Sequence, residues 1–285
     1  MKIGAIIQAR TGSSRLPGKV LLELPYGSGK KVLEHVVERV KRASTVGEVI
    51  VATTAKREDD PIVHLAEKLG VKTFRGSEKD VLSRYYHAAK ENDLDVVVRI
   101  TSDCPCIDPE IIDRAVEHHL KTGADYTRTE GFPRGFDVEV IDFKALEQAH
   151  RNATQPFERE HVCPYIYTTA PERFKIEYLR APKELNRPDI RVTLDTEEDY
   201  ALLCCLFDNL YWEDPFFGAR KVVSLFEKKP YMGLINKRVR QKRTFLKLED
   251  ELKEAIKVLE LQELHRAKGV LQEHLKRLKG KSGDF

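Results

Sequence analysis

The first 121 residues alternate strand-like and helix-like segments, and this alternation limits the fold more than any other feature. Short apolar runs such as 3–8 predict buried strands. Runs with apolar residues three and four positions apart, such as 31–42, predict amphipathic helices. Such repeats form a mostly parallel sheet with helices on both faces, the doubly wound α/β class. The remaining segments of the series are strands 48–53, 71–74 and 96–100 and helices 61–69, 79–91 and 109–121.

The pattern loosens after Asp125 into shorter elements. We expect about 125–190 to be an insertion in the main domain, after which the chain returns to the sheet. A helix with an acidic first turn is expected from Thr196 to Asn209, because acidic groups stabilise a helix N-terminus. Within and after the insertion we predict strands at 135–142, 175–179 and 190–194 and a helix inside 157–168.

The composition changes again near residue 236, which divides the chain into a domain over 1–236 and a tail over 237–285. The tail begins with the basic run 237–243 and continues with leucines at helical spacing, with Gly269 as a break. An isolated helix of this kind is marginal in water and must pack on something. We expect it to pack on a second subunit in a homodimer, with its own domain and a nucleic acid as the alternatives.

Composition excludes several classes of protein. The 285 residues carry 49 Lys and Arg against 46 Asp and Glu, so the net charge is only +3, which argues against a general nucleic-acid binder. No apolar run approaches the roughly 18 residues of a membrane span. The five cysteines form no spaced framework, which predicts reduced thiols and a cytoplasmic protein.

The loop over 8–19 follows the first predicted strand and carries three cations among small residues. Arg10, Arg15 and Lys19 alternate with Gly12, Ser13, Ser14 and Gly18. Small residues let backbone amides point inward, and fixed cations neutralise a polyanion. The spacing matches neither common phosphate-loop motif, yet the pattern predicts a phosphate-binding loop.

Six ordered blocks within 1–210 resemble the cytidylyltransferases that make CMP-activated sugars. The resemblance includes the 3-deoxy-manno-octulosonate and acylneuraminate enzymes and is strongest for the spore-coat polysaccharide branch. It implies a nucleotide-diphospho-sugar transferase-like fold with a helical C-terminal extension. The six blocks follow the loop ARTGSSRLPGK, which carries the same resemblance, and they are FRGS, DVLSRY, RITSDCP, GFDVE, REHV and RVTLDT.

Asp103 and Asp195 each follow an apolar strand-like run. Two distant segments therefore deliver one carboxylate each to the same edge of the sheet, and the resemblance implies that both bind Mg²⁺. Asp108, which precedes Pro109, is instead expected to cap a helix. With Asp103 and Asp195, the residues expected to act in catalysis are Arg10, Arg15 and Lys19.

The nucleotide is expected at the carboxyl ends of the strands. Suitable groups for a pyrimidine are present, but the residues do not distinguish cytosine from uracil, and only the resemblance favours CTP. The expected nucleotide-binding residues are Gln8, Ala9, Arg10, Thr11, Gly12, Ser13, Arg15, Lys19, Thr53, Ser77, Asp80, Ser83, Arg84 and Thr101.

Asp137, Glu139 and His161 are the expected acceptor-binding residues. Glu139 projects from a predicted strand opposite Val138 and Val140. His161 could also be a helix-packing histidine. This chain has Cys163 where the family reads Thr and Cys106 where it often reads Leu after Cys-Pro, so an acidic sugar, an amino acid and a phosphonate all remain open.

The sequence therefore predicts a Mg²⁺-dependent cytidylyltransferase that releases pyrophosphate. Three alternatives remain. A sugar-phosphate uridylyl- or thymidylyltransferase resembles Gly-Gly-x-Gly-Thr-Arg at the first loop, from which Gln8-Ala9-Arg10 departs. A glycosyltransferase usually shows Asp-x-Asp, which this chain lacks. A non-catalytic nucleotide- or nucleic-acid-binding module would use the basic run 237–243.

Overall fold

The computed structural model describes residues 1–239 and 248–281. The chain divides into two compact units, Met1–Val239 and Arg240–Phe285. That the first part is the catalytic domain and that the tail is an oligomerisation element remain predictions. In the described residues, no helix combines the length and apolar character that crossing a membrane requires.

A seven-stranded, mostly parallel sheet forms the centre of the first unit, as predicted. Its strand order is β3-β2-β1-β4-β6-β5-β7. Strands β1 to β4 run parallel, β6 is antiparallel to both β4 and β5, and β7 is parallel to β5. The strands are β1 (Ile3–Gln8), β2 (Glu48–Thr54), β3 (Lys72–Gly76), β4 (Val96–Thr101), β5 (Tyr126–Glu130), β6 (Glu139–Asp142) and β7 (Ile176–Arg180).

Helices cover both faces of this sheet and enclose two apolar clusters. One cluster contains Val36, Val51 and Val98, and the other contains Ile6, Ile50 and Leu82. Because adjacent strand residues point to opposite faces, β1 contributes to both clusters. The helices are α1 (Val32–Val40), α2 (Asp60–Lys68), α3 (Val81–Glu91), α4 (Pro109–Thr122), α5 (Phe143–Asn152), α6 (Pro156–His161), α7 (Glu197–Leu210) and α8 (Ala219–Lys228).

The strand order places the predicted loops together. β1 lies between β2 and β4 and runs parallel to both, so the chain leaves β1 and β4 at the same edge of the sheet. This is the point where the winding direction reverses, and doubly wound sheets bind ligands there. The loops after Gln8 and Thr101 consequently leave the sheet side by side.

Two predicted strands around the insertion are wrong in part. β6 begins only at Glu139, because Gly135 has a φ of 107° and turns the chain. A Cβ at Gly135 would lie 2.9 Å from the carbonyl carbon of Val192, so only glycine allows this close approach. The segment 190–194 is not a strand, and the chain there makes only an isolated bridge between Arg134 and Arg191.

The helix predicted inside 157–168 is interrupted. After α6, Val162 has a φ of 73° and a ψ of −60°, and the Cys163 amide donates to the His161 carbonyl at 2.9 Å. These values describe a γ-turn of the rare, strained form. A π-helical segment follows at Tyr165–Thr169. Such segments are frequent at functional sites.

The described part of the second unit contains two helices, α9 (Leu248–Leu261) and α10 (His265–Lys281). The break between them falls at Glu263, which has a φ of 56°, and Gly269 lies within α10. The break predicted at Gly269 is therefore wrong. The basic run 237–243 extends beyond the described residues.

Candidate active site

The side chain of Lys19 joins the two aspartates that the sequence singled out. Its ammonium group donates to Asp103 Oδ2 at 2.7 Å and to Asp195 Oδ1 at 2.9 Å. A third bond runs to the carbonyl oxygen of Leu194 at 2.7 Å. Burial lowers the pKa of Lys19, but Asp103 and Asp195 outweigh this effect and raise it above the ordinary value. The ammonium group therefore stays charged.

Asp195 is held by three cations. Arg15 and Arg191 contact its Oδ2 at 3.0 Å and 2.7 Å, and Lys19 contacts the other oxygen. Burial raises the pKa of Asp195, but the attraction of Lys19 and the hydrogen bonds of Lys19 and Arg191 lower it to about 2. The carboxylate is therefore ionised at every physiological pH.

Asp199 and Asn236 position Arg191, and the sequence reasoning missed both. Asp199, at the start of α7, is 1% exposed and binds Arg191 through both carboxylate oxygens. Asn236 donates to Asp199 Oδ1 at 2.8 Å and to the Arg191 carbonyl at 3.1 Å. Asp199 was visible only as part of the acidic first turn of the helix predicted from Thr196, and no sequence pattern marks Asn236.

Backbone contacts hold the segments that carry Asp103 and Asp195. The Leu194 amide donates to the Asp103 carbonyl at 2.8 Å, and the Thr193 hydroxyl donates to the same oxygen at 3.2 Å. Burial raises the pKa of the Cys104 thiol beside Asp103, which keeps the thiol neutral. The two carboxylates are thus fixed by main-chain geometry as well as by Lys19.

Asp59, which the sequence did not single out, anchors the phosphate loop. Its Oδ1 accepts from the amide and the hydroxyl of Thr11, both at 2.7 Å, and Thr54 donates to its other oxygen. Asp59 is 2% exposed, and the Ser13 amide donates to the Thr11 carbonyl. The Thr11 and Ser13 amides, expected to face phosphate, therefore bond within the protein, whereas Arg10 is exposed and makes no ion pair with a described residue.

The residues around α3 that were expected to bind the nucleoside lie close together, but several of them instead bond to the loop that precedes α3. Asp80 caps α3 through the Ser83 amide at 2.8 Å and accepts from Arg159 of α6 at 2.6 Å. Buried Arg84 donates to the Ser77 carbonyl at 3.0 Å, while its Nε has no partner among the described residues. These contacts fix the loop before α3.

Gln8 and Thr101 share one face of the sheet, and Thr53 points to the other. Gln8 pairs with Thr101 at the ends of β1 and β4. Ala52 lies on the α3 side of the sheet, so its neighbour Thr53 faces the opposite side, where its hydroxyl is buried without a partner among the described residues. Ala9 is also buried. The Thr53 side chain is therefore not brought to the α3 residues.

Glu139 lies on the α3 side of the sheet, opposite Val138 and Val140 as expected, but it does not project alone. It forms a close ion pair with Arg99 on the neighbouring strand and accepts a short hydrogen bond from the Tyr126 hydroxyl. Burial raises the pKa of Glu139, but Arg99 and Tyr126 together lower it. Glu139 is therefore an ionised, paired carboxylate.

The remaining acceptor candidates lie at turns beside this pair. Asp137 is exposed and accepts from the Gly135 amide at 3.0 Å. His161 ends α6 directly before the strained turn at Val162. Buried Cys163 follows, and burial together with Glu139 raises its thiol pKa well above the ordinary value. Arg99 and Tyr126 were missed, although Arg99 was visible in the RITSDCP block.

Known proteins resemble this chain in sequence and in fold. The model of the cytidylyltransferase family matches residues 4–251. An uncharacterized protein of Methanocaldococcus jannaschii is 46% identical over 85% of this chain and 97% of its own length. The spore coat polysaccharide biosynthesis protein SpsF of Bacillus subtilis is 35% identical over 79% and 94%, respectively. A solved cytidylyltransferase of Leptospira borgpetersenii aligns with a TM-score of 0.74 and 34% identity, covering 87% of this chain and 100% of that chain.

Proposed function

This chain belongs to the cytidylyltransferase family and is a nucleotidyltransferase, and we propose that it transfers CMP from CTP to a small acceptor with release of pyrophosphate. The observation that carries the proposal is the cluster of Lys19, Asp103 and Asp195 beside the basic loop. It joins two carboxylates and a cation at the switch point of the sheet, where such folds bind ligands. The relative of B. subtilis supports an acceptor used in polysaccharide biosynthesis.

The oxygen atoms around Lys19 fit a divalent cation. Asp103, Asp195 and the Leu194 carbonyl present three oxygens to one ammonium nitrogen at 2.7 to 2.9 Å. Hard oxygen donors of this kind suit Mg²⁺, which keeps phosphate oxygens and waters as its other ligands. Among the described residues no group of three or more acidic, His or Cys side chains could hold a metal, so the two aspartates would supply its protein carboxylates. When bound, Mg²⁺ supplies positive charge at the α-phosphate.

The cations of the first loop bind the triphosphate in this proposal. Arg10 is exposed beside the loop, and Arg15 lies within 3.0 Å of Asp195. Lys19 must exchange at least one of its bonds to the aspartates for a phosphate oxygen. Fixed cations stabilise the charge that spreads over the phosphoryl oxygens in the transition state.

The acceptor attacks the α-phosphorus directly. The acceptor oxygen forms a bond to the α-phosphorus while the bond between that phosphorus and the α,β-bridging oxygen breaks. Pyrophosphate leaves on the opposite side and takes the electron pair of the broken bond. The proton of an acceptor hydroxyl passes to water. In this proposal the acceptor binds the face that carries Gln8, Thr101 and Glu139, which extends from the end of β1 towards β6. Asp137 and His161 are its other proposed ligands.

The test is pyrophosphate release from each of the four ribonucleoside triphosphates. Acidic sugars, amino acids and phosphonates serve as acceptors, with Mg²⁺ saturating. We expect release with CTP and one acceptor class. Asp103→Asn and Asp195→Asn should each lower turnover about 10²-fold or more while the proteins remain folded by circular dichroism. Asp113→Asn, on the surface near Ser44, is the matched control. Release with UTP but not CTP, or full activity in either site variant, would contradict the proposal.

A further inference from the structure

Arg128 lies in a row of side chains that crosses four adjacent strands, from Arg99 on β4 to Tyr178 on β7. It pairs in register with Glu139 on β6 and with Tyr178 on β7. Its guanidinium carbon lies 5.5 Å from the Tyr167 ring centre and 5.9 Å from that of Tyr178. Two aromatic rings therefore hold the guanidinium group by cation–π contact.

The row carries one more positive charge than negative charge. Arg99 and Arg128 flank Glu139, whose two oxygens already accept from Arg99 and from the Tyr126 hydroxyl. Among the described residues, Arg128 has no carboxylate within ion-pair distance. Burial lowers the pKa of Arg128, but Tyr126 and Glu139 outweigh this effect and raise it, so the guanidinium group stays charged. An anion that enters the row would pair with this charge and balance the row.

The row is open to a ligand at one end and reaches the expected nucleotide site at the other. Tyr178 is 43% exposed at the edge of the sheet. In the other direction, Arg99 Nη2 donates to Gln8 Oε1 at 3.2 Å, at the end of β1. Tyr167 belongs to the π-helical segment that follows the strained turn at Val162. An acceptor on this face would lie between Arg128 and the phosphate loop.

We propose that Arg128 binds an anionic group of the acceptor, a carboxylate or a phosphonate, and thereby sets acceptor specificity. The proposal rests on the proposed cytidylyl transfer. A guanidinium group presents its N–H groups in a planar fork, which matches the two oxygens of either anion. The contacts with the two rings restrict where the Arg128 fork can lie. Arg128 contacts no reacting atom, so its effect falls on acceptor binding.

The experiment compares wild type with Arg128→Gln and Arg128→Lys. Arg180→Gln is the matched control, because Arg180 lies on neighbouring β7 with its side chain 83% exposed. Calorimetry first measures CTP binding. Then, with CMP saturating, it measures the binding of paired probes: sugar acids and amino acids beside their methyl esters, and phosphonates beside their uncharged diesters. For any acid turned over, pyrophosphate release gives KM and kcat.

We expect all variants to bind CTP as wild type does. The wild type should prefer at least one acid to its uncharged partner by about tenfold or more. Arg128→Gln should lose that preference and raise KM more than it lowers kcat, Arg128→Lys should keep part of it, and Arg180→Gln all of it. Comparing the carboxylic acids with their esters, and the phosphonates with their diesters, shows which of the two anions Arg128 binds.

The proposal is wrong if no acid binds better than its uncharged partner, or if Arg128→Gln retains the preference. Such a result with intact CTP binding overturns the role of Arg128 alone. If the wild type does not bind CTP, the proposed cytidylyl transfer itself fails. Loss of CTP binding in Arg128→Gln would assign the residue a general structural role.

Discussion

Lys19 has its ammonium hydrogens engaged by protein oxygens, because Asp103, Asp195 and the Leu194 carbonyl each accept one bond. A bound triphosphate must therefore compete with carboxylates that are themselves expected to bind metal. Lys19 would thus serve as the resident cation of the cluster and then as a phosphate ligand.

Lys19→Ala should weaken CTP binding by about tenfold or more and CMP binding much less. The physical reason is that the ammonium group is proposed to contact the leaving pyrophosphate, where a charge-assisted hydrogen bond contributes about 1.5–3 kcal/mol. Calorimetric titration with both nucleotides checks this. Lys221→Ala, a surface lysine paired with Asp214, is the control. An equal loss for CTP and CMP would place Lys19 away from the β and γ phosphates.

Asp59→Asn should loosen the phosphate loop and lower stability by about 1–3 kcal/mol, the cost of disrupting a buried hydrogen-bond network. Burial raises the pKa of Asp59, but the Thr54 and Thr11 hydrogen bonds outweigh this effect and bring it below its ordinary value of 3.8. A carboxyl whose folded pKa is depressed contributes stability above its unfolded pKa and loses it as the pH falls.

The stability difference between wild type and Asp59→Asn should therefore be complete above about pH 5 and shrink as the pH falls below 3.8. Urea unfolding at a series of pH values measures it. Asp208→Asn, which changes an exposed carboxylate on α7, is the control. A difference that stays constant down to pH 2.5 would show that ionisation of Asp59 does not stabilise the loop.

At the scale of elements, the first half of the fold was predictable because its signals are local. Parallel strands buried on both faces read as continuous apolar runs, as in Val96–Thr101, and helix α4 begins after Asp108, which caps it through the Glu110 amide as expected. The sequence reasoning nevertheless missed β5, since Tyr126–Glu130 has one apolar residue followed by four polar ones and shows neither an apolar run nor an alternation.

The site residues could be predicted where a motif lies at the end of a strand. They could not be predicted where segments distant in the sequence meet. Asp103 and Asp195 could be paired from strand-end position and family resemblance. The segment before Asp195 reads as a strand, yet it is held by Gly135 and by Asn236 through contacts that no local pattern records. Arg128 was not predicted as a site residue, because its neighbours Glu139 and Tyr178 are set by the register of β5 with β6 and β7.

The Arg99–Glu139 pair gives a prediction for the sheet itself. It is one of the cross-strand contacts between β4 and the antiparallel β6, with side chains only 15% and 17% exposed. Arg99→Met should cost about 3–5 kcal/mol, because it leaves Glu139 partly buried and without a cation. The double variant Arg99→Met/Glu139→Gln should recover part of that loss.

Urea unfolding of the two single variants and the double variant completes a thermodynamic cycle. The Arg75–Asp60 pair supplies a more exposed comparison, with side chains 35% and 42% exposed, and its coupling should be about 1 kcal/mol or less. Additive losses at Arg99 and Glu139 would show that the pair does not stabilise the junction.

At the scale of the whole molecule, the described helices of the second unit show no buried core of their own. No residue of α9 is buried, and Leu248, Leu261, Leu264 and Val270 are each more than half exposed. Two short helices with this much exposed apolar surface are marginal alone. A second copy of the chain is a fitting host, since a symmetric dimer buries each apolar face against its equivalent.

Deleting residues 240–285 should therefore lower the number of chains per particle, which is the mass from light scattering divided by the mass of one chain. It should not weaken CTP binding by more than about twofold. The cut spares Asn236, whose bonds to Arg191 and Asp199 support the active site. A full-length variant with Leu261→Glu and Val270→Glu is the matched control, because it keeps the tail and removes only its apolar surface. It should dissociate as the truncation does. A truncated protein that stays oligomeric but loses CTP binding would assign the tail to the active site instead.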